Sequence, residues 1–245
     1  MFFIYKNFKL EASLFNTYLI EEDYADYDFP AYLADLSYIG NRISVFCNYK
    51  YFTGFAYTYD ASIENHYAPG MTNRTYSITA QYQLDERFNM RQLYYNNEMQ
   101  VKSEGSFVFG LKYIYGRLSG LENAVPSEVS EDFEKLSDLK TIKYHSIAPG
   151  IGYIHNFNIH KGFYIGGALN FYYGYSYSTA VAEKATSEST IFLEGDLIFS
   201  VGYISSRFFI VLDYNHQEYS TAFFSFVDYY EDTYEKFDFK FGVKF

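Results

Sequence analysis

The last ten residues of the chain are Lys236-Phe237-Asp238-Phe239-Lys240-Phe241-Gly242-Val243-Lys244-Phe245. Every odd-numbered residue in this stretch is apolar, and every even-numbered residue is charged or glycine. Successive side chains of a β-strand point to opposite faces of the sheet. The stretch therefore predicts a strand with one face in an apolar medium and the other face toward polar groups.

This ending resembles the closing strand of a bacterial outer-membrane β-barrel. In that class of protein, the final strand with its C-terminal aromatic residue is also the signal that the barrel assembly machinery reads. The resemblance implies that Phe241, Val243 and Phe245 form the assembly signal. The alternative interpretation is an edge strand of a soluble β-sandwich or of a lipocalin-like barrel.

The composition favours the membrane barrel. The chain contains 30 Tyr and 26 Phe but no Trp, which is more aromatic residue than an ordinary soluble core uses. A membrane barrel has an apolar outer band flanked by aromatic girdles, where such side chains are needed. No run of apolar residues is long enough for a helical span. The 245 residues suffice for one barrel of ten to twelve strands, with no length left for a second domain.

The net charge, the single cysteine and the start of the chain restrict the possible partners of the protein and its location in the cell. The net charge of −11 argues against nucleic acid as a partner, because no basic patch is present to neutralise phosphates. The single cysteine, Cys47, excludes an internal disulfide and occupies an apolar-face position. The start of the chain lacks the apolar stretch of a secretory signal, so we expect a mature or truncated chain of an outer-membrane protein.

Alternation with a period of two, interrupted by turn residues, predicts eleven strands. They lie at 7–20, 41–50, 53–62, 74–84, 87–96, 106–117, 142–157, 162–177, 189–203, 206–218 and 234–245. On the strand that begins near Phe163, large apolar residues such as Leu169 and Phe171 alternate with small and polar ones such as Ala168 and Asn170. The first set is expected to face lipid, and the second set is expected to face the lumen. Glycines within strands are expected to make room for large side chains across the lumen.

The predicted connections are of two sizes, as in outer-membrane barrels. Tight turns are predicted at 84–87, 158–162 and 204–207, and long acidic loops at 21–37, 119–140, 180–189 and 218–233. Bacterial single-chain barrels have an even number of strands, so eleven implies that one strand is missing from the assignment. It lies within 29–39 or 122–140, or it precedes the N-terminus. We therefore predict about twelve strands, within a range of ten to twelve.

The segment 87–110 departs from simple alternation and is crowded with polar residues. Its residues Asn96, Gln100, Lys102, Ser103, Gly105, Ser106 and Phe107 resemble the core signature of DUF4421, an uncharacterised family of outer-membrane proteins of Gram-negative bacteria. Further matches lie at 148–153, followed by the strand from Phe163, and at 202–209. The resemblance covers most of residues 75–245. It implies a barrel in the outer membrane and brings no activity with it.

A polar cluster is predicted in the lumen. Its members are Arg87, Arg91, Glu98, Gln100, Lys102, Glu104, Lys112, Glu194 and Asp196. Charges in a barrel interior are costly unless they are paired, so the favoured interpretation is a set of ion pairs that fills or stiffens the lumen. The alternative is a selectivity lining or a site for a small ligand.

Other combinations of residues suggest different functions. The residues Asn215, His216 and Ser220 are of the types used by outer-membrane phospholipases, so a lipid hydrolase or acyltransferase is one alternative, with Glu98 and Glu104 as a second candidate cluster. An adhesion or ligand-binding module acting through the acidic loops 21–37 and 119–140 is another. The five histidines show no ligand spacing, so neither a metal site nor a cofactor is predicted.

The sequence thus predicts an all-β fold: a single-domain transmembrane antiparallel up-and-down β-barrel over residues 1–245. The predicted role is non-enzymatic and porin-like, either structural or in the passage of a small solute. The predicted partners are outer-membrane lipid, the barrel assembly machinery and a small solute.

Overall fold

A computed structural model describes most of the chain. The described residues are 2–5, 7–17, 29–57, 66–95, 98, 100, 102–123, 139–181, 186–221 and 230–243. All strands among them belong to one antiparallel sheet, in which every strand pairs with its neighbours in chain order. The fold is therefore all-β with up-and-down topology, as the alternation predicted.

Among the described residues, the sheet has eleven strands. They are β1 (Phe2–Tyr5), β2 (Phe8–Thr17), β3 (Phe29–Ile39), β4 (Ile43–Tyr57), β5 (His66–Gln83), β6 (Glu104–Ser119), β7 (Thr141–His160), β8 (Phe163–Val181), β9 (Thr186–Ile204), β10 (Phe208–Thr221) and β11 (Tyr230–Val243). The first strand has four residues, and each of the other ten has at least ten. The predicted total of about twelve is not confirmed.

The prediction of a strand at 87–96 is wrong. The structure has a six-residue helix there, α1 (Met90–Tyr95), and residues 84–103 form a single connection from β5 to β6. The polar crowding that interrupted the alternation in this segment reflects the change from strand to helix. With this strand removed, β6 ends at the same end of the sheet as β2, β4, β8 and β10, and the described strands still number eleven, which is odd.

Two further boundaries differ from the prediction. The strands predicted at 41–50 and 53–62 are one strand, β4, whose register with β5 shifts between Thr53 and Phe55, where Gly54 has a φ of 77°. The strand suggested within 29–39 is present as β3. The predicted long loops therefore include residues that belong to strands. Residues 29–37 of the loop predicted at 21–37 lie in β3, and strands occupy both ends of the loops predicted at 180–189 and 218–233.

The two faces of the strands separate as predicted. Along β8, residues from Tyr164 to Ala180 alternate between a buried or half-buried inner face and an outer face that is mostly exposed. The outer face carries large apolar side chains, among them Leu169, Phe171, Tyr173 and Tyr175. The same division holds for Phe107, Phe109 and Leu111 on β6, which alternate with buried Val108 and Lys112. The exterior is thus apolar, and the inner face carries small, polar and charged residues together with buried aromatic side chains.

The sheet curls, because side chains of distant strands meet on its inner face. Lys112 on β6 contacts Glu194 on β9, and Lys50 on β4 contacts Gln217 on β10. Lys236 on β11 contacts Glu11 on β2, so the first and last long strands also approach each other. We refer to the space enclosed by this curl as the interior.

The interior has two distinct ends. At the turn end, short turns join β3 to β4, β7 to β8 and β9 to β10, and the connection 84–103 lies at the same end. The turn after β7 places Lys161 and Gly162 at φ values of 43° and 99°, the left-handed geometry of a tight hairpin. At the opposite end, which we call the loop end, the strands β2, β4, β6, β8 and β10 finish and the strands β3, β5, β7, β9 and β11 begin. Among the described residues, no helix has both the length and the apolar character required to cross a membrane.

Candidate functional site: the charged interior

A buried ion pair lies at the centre of the interior. The Lys112 ammonium contacts the Glu194 carboxylate, and these side chains are only 3% and 1% exposed. Asp196, two residues further along β9, lies 3.6 Å from Lys112 Nζ. The ammonium also lies 5.0 Å from the centroid of the Tyr172 ring. One lysine is thus held by two carboxylates and an aromatic ring, which compensates much of the cost of burying its charge.

The amide of Gln217 connects this pair to a second lysine. Its Nε2 donates to Glu194 Oε1 at 2.5 Å and to Asp196 Oδ1 at 3.1 Å. Its Oε1 accepts a hydrogen bond from Lys50 Nζ at 2.5 Å. The network therefore joins β4, β6, β9 and β10 across the interior, and it holds the curl of the sheet by side-chain contacts in addition to the strand ladder.

A second charged network joins the two sides of the sheet. Glu11 accepts from Lys9 at 2.6 Å and from Lys236 at 2.7 Å. Asp238 lies 2.9 Å from Lys236, and Lys240 lies 2.6 Å from Asp213. Acids and lysines alternate along this chain of contacts, so each charge of this second network has an opposite charge beside it.

A cavity of about 240 Å³ lies between these networks. Its walls include Lys9, Glu11, Lys50, Asp196, Lys236 and Lys240, together with amide side chains such as Gln81 and Asn170. A water molecule needs roughly 10–15 Å³ of such space, so the cavity is large enough for a small polar solute. We refer to it as the chamber.

The turn end of the chamber is filled by the described residues of the connection between β5 and β6, which are 84–95, 98, 100, 102 and 103 and which we call the plug. Phe88, Met90, Leu93 and Tyr95 of the plug are buried in a cluster with Ile39, Val108, Ile154 and Ala168 from four strands. Leu93 and Tyr94 also line the chamber. The short helix α1 carries apolar side chains into the interior from the turn end.

Polar contacts fix the plug to the surrounding wall. Tyr95 Oη lies 2.7 Å from the Asn7 carbonyl and 2.9 Å from the Ser37 carbonyl. Arg91 Nη1 donates to Glu98 Oε1 at 2.7 Å, and its Nε donates to the Ile39 carbonyl at 3.3 Å. Gln100 Nε2 and Asn158 Nδ2 both donate to the Lys102 carbonyl. The plug is therefore a hydrogen-bonded part of the wall.

An aromatic layer lies on the loop side of the chamber. Tyr144, Tyr172, Phe192 and Tyr219 are buried there with Ile114 and neighbouring aliphatic residues. A smaller cavity of about 30 Å³, lined by Lys112, Glu194, Tyr144 and Tyr219, lies between this layer and the chamber. The interior therefore has three layers, which are the plug, the charged chamber and the aromatic layer.

Glycines of neighbouring strands make room for these tyrosines. A Cβ on Gly116 would overlap the ring of Tyr144, its direct partner on β7. A Cβ on Gly150 would overlap the ring of Tyr172, its partner on β8. Each ring lies flat over the backbone of the adjacent strand, rather than across the lumen as the sequence suggested.

The sequence pattern that defines a family described as Domain of unknown function (DUF4421) matches residues 2–245. The chain belongs to the DUF4421 family. The resemblance inferred from the segment 96–107 is confirmed, and the family extends over the region before residue 75 as well. A search of curated proteins finds no match. Membership by itself assigns neither a location nor an activity to this DUF4421 chain.

The structure divides the nine predicted cluster residues of this DUF4421 chain into three groups. Lys112, Glu194 and Asp196 meet at the chamber. Arg91, Glu98 and Gln100 belong to the plug and its contacts. The other three are Arg87, Lys102 and Glu104, which lie at the turn end, where the Lys102 side chain is exposed and Glu104 is half-buried.

Arg87 forms its contacts outside the interior. Its guanidinium donates to both carboxylate oxygens of Asp85, with Nη2 at 2.5 Å from Oδ2 and Nε at 3.0 Å from Oδ1. These hydrogen bonds, together with one from the Arg87 backbone N–H, lower the pKa of the Asp85 carboxyl to about 2. Arg87 therefore orders the turn that leads into the plug, and the predicted position in the lumen does not describe it.

The sequence prediction missed most of the charged residues that line the chamber. Lys9, Glu11, Lys50, Asp213, Lys236, Asp238 and Lys240 all face it. The signal was present, because charges at i and i+2 on an alternating strand must share a face, as in Lys9 with Glu11 and in Lys236 with Asp238. Only the partner strand across the interior could not be read from this spacing.

The phospholipase residues do not converge in the structure. His216 and Ser220 lie four residues apart on β10, which corresponds to about 13 Å along a strand, whereas a nucleophile and its base need hydrogen-bond contact. Asn215 lines the chamber. His216 Nδ1 instead lies 3.1 Å from Glu235 Oε1. Within the described residues, no group of three or more His, Cys, Asp or Glu side chains could hold a metal ion.

The remaining predicted features are partly outside the described residues. Phe241 and Val243 lie on the outer face of β11 and are more than half exposed, whereas Phe245 is outside the described part of the chain. Most of the acidic loops falls in the ranges 18–28 and 124–138, which are also outside it. An adhesive role of these loops stays a prediction.

Proposed function

We propose that this DUF4421 protein is an integral β-barrel of the outer membrane of Gram-negative bacteria, with a non-enzymatic role. The observation that carries the proposal is the apolar exterior. Exposed Ile, Leu, Phe and Tyr side chains occupy outward positions on strands from β2 to β11, most densely on β6 to β11. Exposed apolar patches of this extent mark a membrane or protein interface, and a lipid bilayer is the environment that covers every strand equally.

The separation of two outward histidines on β7 fits the apolar band of a bilayer. On β7, His145 near the loop end contacts Tyr113 Oη at 2.7 Å, and His155 near the turn end contacts Tyr153 Oη at 2.9 Å. The two histidines are ten residues apart, so they are about 33 Å apart along the strand. At a strand tilt of about 40° this becomes a height of about 25 Å, the usual height of the apolar band of an outer-membrane barrel. The outward residues between them include Ile147 and Ile151, which are exposed.

The interior favours a closed barrel over an open porin. The plug and the aromatic layer contribute buried side chains on both sides of the chamber. We therefore propose a structural barrel that holds a small polar solute in its chamber. Passage of such a solute would require displacement of the plug.

The outward face of β11 supports the proposed partners. Phe237, Phe239 and Phe241 are 72%, 73% and 60% exposed, a surface suited to lipid and to the assembly machinery. In this proposal Phe241, Val243 and Phe245 form the assembly signal.

The test is migration of the purified chain on SDS gels in detergent, unheated and boiled, combined with fractionation of cells. A membrane barrel resists SDS until it is heated, so we expect a shift between the two samples and recovery in the outer-membrane fraction. A monodisperse protein in detergent-free buffer, recovered from the periplasm with no shift, would contradict the proposal.

A further inference from the structure

Three cations lie side by side on the exterior, at the loop end. Arg74 on β5 is the direct partner of Arg117 on β6, and Arg117 is the direct partner of Lys143 on β7. All three side chains are exposed and point outward. Directly paired residues of adjacent strands have Cα atoms about 4.5–5.5 Å apart, so the three positions span about 10 Å. We call this set the cationic row.

An aromatic row borders the cationic row on the side of the turn end. Tyr49, Tyr76, Tyr115, His145 and Tyr177 are consecutive cross-strand partners on β4 to β8. The ring centroids of Tyr49 and Tyr76 are 4.8 Å apart, and those of Tyr115 and His145 are 4.9 Å apart. Aromatic girdles of this kind mark the boundary between apolar band and headgroups. The cationic row therefore lies at headgroup level.

The three cations of the row repel one another, and the contacts of their side chains do not remove this repulsion. Like charges directly opposite each other on adjacent strands are destabilising. The Arg74 guanidinium lies 5.2 Å from the centroid of the Tyr51 ring, and Arg117 Nε donates to Ser119 Oγ at 3.0 Å. Among the residues that the structure describes, no carboxylate forms an ion pair with Arg74, Arg117 or Lys143. Clustering of three cations is notable in a chain with a net charge of −11.

We propose that the cationic row binds the phosphate groups of a phosphate-bearing lipid in the outer leaflet. This inference rests on the proposed function, because it needs the loop end to face outward and the aromatic row to lie at the interface. Guanidinium groups bind phosphate oxygens through two parallel hydrogen bonds, and an ammonium binds them as a point charge. Basic residues beside a membrane surface attract anionic headgroups. A lipid with two phosphates matches three cations better than a zwitterionic phospholipid does.

The test uses the full chain folded in detergent and transferred to vesicles. The variant R74Q/R117Q/K143Q is compared with a control, K102Q/K161Q/R207Q, which removes three exposed cations at the turn end. The probes are diphosphorylated lipid A, the same lipid without its phosphates, and inorganic phosphate, with affinity measured by titration. We expect the row variant to lose about tenfold or more of its affinity for diphosphorylated lipid A. The control should keep wild-type affinity, and the dephosphorylated lipid should bind all three proteins weakly and equally.

The failures of the two proposals are distinguishable. Equal affinity of the wild type for lipid with and without phosphate, or an unchanged affinity in the row variant, would overturn the cationic-row proposal while the heat-dependent gel shift persists. Binding of inorganic phosphate as tight as that of the lipid would also overturn it, because the ligand would then be a soluble phosphate. A wild-type chain without any gel shift would overturn the membrane assignment itself, and the row proposal with it.

Discussion

Lys112 on β6 and Glu194 on β9 form an ion pair inside the curled sheet, where both side chains are almost fully buried. Removing one partner of a buried pair costs about 3–5 kcal/mol, because the other charge is left uncompensated. We expect Lys112→Met to be severely destabilising, since it leaves both Glu194 and Asp196 without the ammonium. Glu194→Gln should cost less, since Asp196 remains 3.6 Å from Lys112. Because the chain has no Trp, stability is best followed by the denaturant midpoint of the gel shift.

The double variant K112M/E194Q is the matched control for this pair. It removes both charges of the pair, so its loss of stability should be smaller than the sum of the losses in the two single variants. A K112M variant as stable as the wild type would contradict the buried pair. A double variant no better than the sum of the singles would show that Asp196, rather than Glu194, is the main partner of the lysine.

The close contact between the Gly116 backbone and the Tyr144 ring predicts that the cost of Gly116→Ala depends on the presence of that ring. An alanine at position 116 would overlap the Tyr144 ring, which is only 2% exposed and cannot move into solvent without opening the aromatic layer. We expect Gly116→Ala to destabilise the fold by about 1–3 kcal/mol, the usual cost of overpacking. In a Tyr144→Ala background the same substitution should be close to neutral, because the ring is gone. The cycle of four proteins, measured by the same gel shift, gives the coupling energy directly.

A matched control for this cycle is Gly195→Ala on β9. A Cβ there would meet only the Phe171 ring, at 3.9 Å, which is ordinary van der Waals contact. It should therefore have little effect on stability. If Gly116→Ala and Gly195→Ala lowered the free energy of unfolding equally, the glycine at position 116 would be needed for its backbone conformation rather than for the space it leaves.

The plug makes a prediction about conductance. Replacing residues 86–102 by a short Gly-Ser linker removes Leu93 and Tyr94 from the turn end of the chamber. In a planar bilayer, we expect the wild type to show little steady conductance and the deletion variant to show discrete channel openings. The deletion variant should retain its gel shift, which separates loss of the plug from loss of the fold. Equal conductance in both proteins would mean that the plug does not close the barrel, or that the loop end closes it alone.

The sequence predicted the faces of the strands better than their number. Alternation is a local property, so Leu169 and Phe171 could be placed outward and Ala168 and Asn170 inward without any tertiary information. The plug could not be recognised in this way. Its helix has one turn and a half, and Leu93, Tyr94 and Tyr95 are equally acceptable in a strand. What fixes the helix is tertiary: a cluster of side chains from four strands that receives Phe88, Met90 and Leu93.

The sequence predicted that charged residues line the interior, but it did not predict which of them pair across it. Glu194 and Asp196 could be assigned inward positions from the alternation of β9, and so could Lys112 on β6. Their pairing depends on the curl of the sheet, which brings β6 opposite β9. The same curl brings Lys236 to Glu11, a contact between the two ends of the chain that no local pattern specifies.

The outer face of β11 offers the sharpest test of the membrane environment. Phe239 is 73% exposed and pairs with exposed Leu212, about midway along the apolar part of β10. In water, Phe239→Arg would be almost neutral, since the side chain contacts little and arginine is readily solvated. In a bilayer, an arginine near the midplane of the lipid face costs about 2–4 kcal/mol. We therefore expect a large loss of stability in vesicles, together with a fall in the amount of folded protein in the outer membrane. Ile159→Arg is the matched control, because Ile159 is 64% exposed but lies beside the tight turn after β7, where an arginine reaches water. If both arginines cost the same small amount, the exterior of the sheet does not face lipid, and its apolar rows must be covered by protein instead.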